Sequence, residues 1–279
     1  MPLAEQFDTA YPDFQSTLYP LTETGNKHVM RNTAGIRDPA HLQRLENSLS
    51  GAARVDILRG TIPIDKTFDL AHAKQLHAAM FSELYPNWAG KVRPFGMQKG
   101  GGKPFAQPNQ IEDYWRNATV AIRNADLPAI GRDDFVSTLA NVYANINQAH
   151  FGREGNGRTG KLFLDQVAEQ SAFKLDHRLI DKVVWNEQSE RSRPPVGYLA
   201  VRPAELLAVF DKITVDRVRP APAQTLPLSP ELQRIIDVNK RNFPTSATAI
   251  GQPGAAGPAE GRGYQARGQG RSNDQGYGR

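Results

Sequence analysis

Twelve consecutive residues, His150-Phe151-Gly152-Arg153-Glu154-Gly155-Asn156-Gly157-Arg158-Thr159-Gly160-Lys161, place an imidazole, a carboxylate, an amide, two guanidiniums and an ammonium among four glycines. Glycines at 155 and 157 let successive backbone N–H groups turn inward and form an anion nest. A helix starting there would aim the positive end of its dipole at the same point, which suits phosphate. Arg158 and Lys161 lie three apart on that helix, so both side chains reach one ligand. Glu154 can offer oxygen to Mg²⁺ bridging phosphates. His150, at the end of a preceding helix, is placed to take a proton from an attacking hydroxyl. Taken singly, these residues read as a helix cap, a turn and a surface ion pair worth under ~1 kcal/mol. Together they supply base, metal ligand, nest and phosphate clamp within one short segment.

The same stretch satisfies Gly-x-x-x-x-Gly-Lys from Gly155 to Lys161, the outline of a P-loop. Leu162 stands where a hydroxyl should hold Mg²⁺, and the preceding Tyr143 to Gln148 is polar and helical in period rather than a buried strand. A P-loop NTPase is therefore the disfavoured alternative. Composition adds limits. The 34 Lys+Arg against 29 Asp+Glu give +5, a mild bias that fits an anionic ligand. A nucleic-acid-binding tail, with Arg262, Arg267, Arg271 and Arg279 among Gly and Gln, is a second alternative, disfavoured because four arginines are few. Cysteine is absent, so any metal must be held by oxygen or imidazole. His28, His41, His72, His77 and His177 form no metal-binding spacing. With no apolar run near ~18 residues and no basic-then-apolar leader, the expectation is a cytoplasmic protein without membrane contact, export into another cell having no support.

The elements that must position this segment are helical. Asp38 to Arg59 repeats leucines at three- and four-residue steps, and a second helix runs from the N-cap candidate Asp69 towards Pro86. Val92 to Met97, a glycine tip around Lys99 to Lys103, and Pro104 to Ala106 read as a short β-hairpin. Helical patterns return over Ile111 to about Asn124, Asp133 to Gln148 and the stretch carrying Leu162, Phe163, Leu164 and Val167. Asp176 to Glu187 and Ala204 to Ile213 follow, and Ser229-Pro230-Glu231 opens a last helix to Arg241. The expected organisation is an N-terminal arm (1–37), an all-α catalytic domain with one small hairpin (38–215), a Pro-rich linker with a short helix (216–244) and a disordered Gly/Arg-rich tail (245–279).

The twelve residues resemble the signature of the Fic family, His-Pro-Phe-x-(Asp/Glu)-Gly-Asn-Gly-Arg-x-x-Arg. Asn32 to Ile36 is similar to the family's N-terminal stretch, Phe81 to Arg93 to its Leu-Phe-x-x-x-Tyr-Pro-Trp-Ala-Gly segment, and Lys99-Gly100 with Phe105 to its flap. The resemblance implies a Fic-like helical bundle with a β-hairpin flap, and Mg²⁺-dependent transfer of AMP from ATP to a protein hydroxyl. It assigns His150 as general base and Glu154 as the Mg²⁺ carboxylate. Arg153, Gly155, Asn156, Gly157, Arg158 and Lys161 become the nucleotide-binding set, and Lys99, Gly100 and Phe105 the flap that positions the target chain. Gly157 favours AMP transfer over the phosphate transfer of the family branch with Lys there.

Three positions depart from the signature. Phe151-Gly152 replaces Pro-Phe, which leaves the loop looser unless Phe151 fills the space. Lys161 replaces the last Arg, which keeps charge but loses the two-pronged grip. Glu46-Asn47, Glu154-Gly155 and Glu260-Gly261 are preceded by Leu42, His150 and Ala256, so none completes the family's inhibitory Ser/Thr-x-x-x-Glu-Gly/Asn. That absence implies the toxin-type subgroup, whose partner is a separate small antitoxin carrying the motif. Its targets are DNA gyrase and topoisomerase IV, through the ATPase (B) subunit.

Overall fold

In a computed structural model the described residues are 13–99 and 101–217, with Glu231 and Arg234. The chain divides into two units, Met1–Arg219 and Pro220–Arg279. In the second unit Glu231 and Arg234 are exposed and helical, at the expected last helix; the rest of that helix, the tail and residues 1–12 lie outside the described residues.

The first unit holds seven helices among the described residues: α1 (Pro39–Arg59), α2 (Leu70–Phe81), α3 (Ile111–Asn124), α4 (Arg132–Ala149), α5 (Asn156–Ala168), α6 (Lys182–Arg191) and α7 (Leu207–Ile213). Local chemistry sets their ends. The Asp38 carboxylate accepts the His41 N–H at α1, Pro39 follows at the first helical position, and Gly60 closes the helix at φ 77°. Asp69 caps α2 in the same way through the His72 N–H.

Helix α4 runs through the centre, packed against α3, α5, α7 and the short turn Pro203–Leu206. Phe135, Leu139, Ala140, Val142 and Ala144 are fully buried along it, each large apolar side chain contributing about 1.5–3 kcal/mol. Leu162, Phe163, Leu164 and Val167 of α5 complete that core. With α4 pinned on several sides, the position of its last residue is determined by packing rather than by the loop beyond.

Three expectations change. The hairpin is reduced to a single bridge, Gln98 with Pro104, because Pro94 and Pro104 lack the N–H a longer ladder needs. Antiparallel pairing appears elsewhere, between β1 (Phe173–Leu175) and β2 (Thr214–Asp216), with Lys174 opposite Val215. The helix expected over Asp176–Glu187 starts later. Asp176 accepts the Arg178 N–H and closes a short turn, Ile180 is extended, and Asp181 is the cap of α6. Two aspartates offered the same capping signal, and the second prevailed.

Residues 13–37 form an irregular arm. The buried Asn32 staples it: its amide donates to the Met30 and Ile36 carbonyls and accepts the Ile36 N–H. Thr33 then bonds the Glu83 and Leu84 carbonyls beyond α2.

Candidate active site

The loop between α4 and α5 begins at a strained residue. His150 ends α4 in the left-handed conformation at φ 40°, its N–H bonded to the Ile146 carbonyl. A non-glycine residue there costs about 1–2 kcal/mol, so the surroundings must hold it. Arg93 does so. Its Nε donates to the His150 carbonyl at 2.8 Å, the same guanidinium reaches the Ala106, Ala149 and Phe95 carbonyls, and its backbone N–H meets the Phe151 carbonyl. One buried cation thus ties the end of α4 to the flap.

The far side of the loop is shaped by Gly155, which sits at φ 78° as the cap of α5. A Cβ there would lie 2.5 Å from the ring of Phe81, so only glycine fits. Asn156 opens α5, and its amide bridges both the N–H and the carbonyl of Gly152 at 2.8 Å, closing the loop on itself. The first-turn N–H groups of Asn156, Gly157 and Arg158 have no acceptor within the helix, as at any helix start, and carry the positive end of its dipole. Gly157 is exposed, and nothing lies within 4 Å of the place a Cβ would take.

These groups share one cavity of about 830 Å³. Its wall includes His150, Arg153, the Glu154–Lys161 segment, Lys99 and Phe105, so every described member of the expected site lines it. Gly100 lies outside the described residues. The residue before Gly155 is reached from helix α4 and not from a strand, which removes the P-loop alternative.

Individual side chains are engaged differently. Arg158 pairs with the buried Glu46 of α1 and donates to Ser50 Oγ at 3.1 Å, with its guanidinium 4.7 Å from the Phe81 ring centre. Glu46 also accepts the Tyr85 hydroxyl, and burial with this carboxylate pushes the phenol well above its ordinary pKa. Lys161 stands over Trp185, its Nζ 4.6 Å from the ring centre, and burial lowers its pKa. Arg153 is buried, with Nε on Thr17 Oγ1 at 2.8 Å and its guanidinium over Phe14, so it also anchors the N-terminal arm. Glu154 is exposed, one oxygen accepting the Gly155 N–H at 3.1 Å.

The His150 ring is half-buried and stacks on Phe105, centroids 3.7 Å apart and planes 16° from parallel. Desolvation first, then the positive charges of Arg93, Arg193 and Lys99, push its pKa down to about 3, against the opposing pull of the Asn147 backbone. The imidazole is neutral across the ordinary pH range.

The Fic/DOC family model matches residues 67–168, from the approach to α2 through the end of α5. A probable protein adenylyltransferase of Sinorhizobium fredii is 31% identical over 156 residues, covering 55% of this chain and 78% of the relative. The chain belongs to the Fic/DOC family. The protein adenylyltransferase VbhT of Bartonella schoenbuchensis is 33% identical over 161 residues, which are 57% of this chain and 32% of that protein, so the chain spans about a third of it. The Bartonella tribocorum BepC structure with bound AMPPNP superposes with a TM-score of 0.62 at 22% identity, over 73% of this chain and 98% of that one, and shows the same fold.

Against the Fic signature, the Phe151-Gly152 departure does not leave a loose loop. A Cβ at Gly152 would lie 2.7 Å from His77 Nε2. The His77 ring fills the space beneath the loop, with Phe151 and Trp88 against it. Gly90 donates its N–H to Nδ1, so Nε2 carries the proton and donates to the Glu154 carbonyl at 2.7 Å. Burial, with Arg158 nearby, lowers the His77 pKa to about 4. His77, Arg93, Phe81 and Glu46 were not legible as site residues, because each acts from a distant segment. Only the arginine and the phenylalanine had a signal, their place in the segment similar to the family's.

Proposed function

We propose that this Fic-family chain transfers AMP from ATP to a hydroxyl side chain of a target protein, with His150 as general base. One observation carries the reading: the neutral His150 imidazole and the free amide end of α5 open into the same cavity. The relatives' names as protein adenylyltransferases support it. The described residues contain no cluster of three or more metal-ligating side chains. The exposed Glu154 carboxylate fits Mg²⁺ held jointly by one protein oxygen and by phosphate. Bound there, Mg²⁺ supplies charge neutralisation on the phosphates.

The chain's own residues do the rest. The amides of Asn156, Gly157 and Arg158 and the Arg158 guanidinium take the polyphosphate, with Lys161, Arg153 and Gly155 completing the set. Glu46 and phosphate compete for one guanidinium, so Arg158 must share or exchange partners when the nucleotide enters. The polyphosphate also offsets the cations around His150 and raises the ring's proton affinity, so the base gains strength once the nucleotide is in place. His150 then accepts the hydroxyl proton, the oxygen bonds to the α-phosphorus, the bond to the bridging oxygen breaks, and pyrophosphate departs. Lys99, Gly100 and Phe105 belong to the flap that lays out the target chain.

The finer reading, from the signature alone, is a toxin acting on the B subunit of gyrase or topoisomerase IV and held by a small antitoxin. Domain limits of 38–215 for the catalytic unit are proposed with it. Purified chain with Mg²⁺ and α-labelled ATP labels itself or a bacterial lysate, and His150→Ala abolishes the label. Label from the γ-position alone would mean a kinase and overturn the assignment.

A further inference from the structure

Phe105 has two faces, and both are occupied. The His150 imidazole lies nearly parallel on one, 3.7 Å from the ring centre. The Arg193 guanidinium carbon stands over the ring at 4.2 Å, and with the first face covered it can occupy only the second. The result is a three-layer stack of guanidinium, phenyl and imidazole. Arg193 is among the most deeply buried side chains of the protein, pairs with Glu190, and donates to the Lys103 carbonyl at 2.6 Å. Lys103 returns the contact: its Nζ donates to the carbonyls of Glu190 and Arg193 at 3.1 and 2.8 Å. The end of α6 and the base of the flap are clipped together from both sides.

Such burial of a cation needs a reason beyond surface solubility, because desolvation opposes it and pushes its pKa down. Cation–π attraction and hydrogen bonds offset the cost. A ring clamped between two planar cationic or aromatic partners has little freedom, and neither has the imidazole resting on it.

We infer that Arg193 is a positioning residue for the His150 base, holding it through the shared Phe105 ring and fastening the flap to α6. This rests on His150 being the base. The charged groups facing His150 are Arg93 from the segment before the flap, Lys99 from the flap and Arg193 from beyond α6; Glu190 pairs with Arg193, and Glu154 lines the same cavity.

The test uses the full chain with ¹³C-labelled histidine. Arg193→Met is expected to lower kcat for AMP transfer about 10- to 100-fold with KM for ATP held within about 2-fold. It should also raise the acid limb of the kcat profile by about one pH unit. In nucleotide-free protein, ¹³Cε1 relaxation of His150 should report a more mobile ring. Arg193→Lys keeps the charge without the plane, and is expected to restore the acid limb but only part of kcat. If Arg193→Met fails to fold, Phe105→Leu carries the test, since it removes the shared ring and leaves the Arg193–Glu190 pair intact. Unchanged ring relaxation in the folded variants, or a loss appearing in KM instead of kcat, overturns the inference. AMP transfer surviving His150→Ala would instead refute the base, whatever the flap variants do.

Discussion

Gly155→Ala separates a glycine required by space from one that is not. At φ 78° an alanine bears about 1–2 kcal/mol of backbone strain. Its Cβ would also stand 2.5 Å from Cε2 and Cζ of Phe81. That ring has no easy retreat: it is buried, with His77 at 4.9 Å between centroids and the Arg158 guanidinium at 4.7 Å. Overpacking of this kind costs about 1–3 kcal/mol, so the total is about 2–5 kcal/mol. Any relief must come from the loop, which would displace Asn156 and the first-turn amides and weaken nucleotide binding as well. Gly157→Ala is the control, with no positive φ and open space at its Cβ. Urea unfolding of the three proteins reads the difference, and fluorescent-ATP titration reads the loop. Equal midpoints for the two variants would refute the packing argument, whatever happened to binding.

Two further outcomes follow from buried groups. His77 is protonated near pH 6.5 when unfolded but only near 4 when folded, so unfolding takes up a proton between those values. His77 alone should therefore lower stability by about 2–3 kcal/mol between pH 7 and pH 4.5, with His150, also held neutral in the fold, adding to the same slope; His77→Gln should reduce that slope without abolishing it, and equal slopes in urea titrations would remove His77 as a contributor. Glu46→Gln keeps the Tyr85 contact but removes the charge facing Arg158, and is expected to cost about 1–2 kcal/mol in a denaturant melt, with an unchanged midpoint counting against the ion pair.

Helix positions were largely legible in the sequence because their signals are local. The Asp38-Pro39 start and Gly60 stop of α1 need only neighbouring residues, and the helix read from Ile111 to about Asn124 spans Ile111–Asn124. Asp176 and Asp181 show the limit, since two equal caps are decided by what each helix can bury. The two-stranded sheet was not legible: Phe173–Leu175 and Thr214–Asp216 are three residues each and pair across some forty positions.

By itself the sequence determined which groups meet around the loop from His150 to Lys161, because twelve adjacent residues cannot separate far. Only the tertiary structure decided what holds them. His77 beneath Gly152, Phe81 against Gly155, Glu46 on Arg158, Trp185 under Lys161 and the Arg193–Phe105–His150 stack all come from other elements. Burial and desolvation, which push the imidazole's pKa down and force the glycines, are properties of packed space, and no local pattern encodes them.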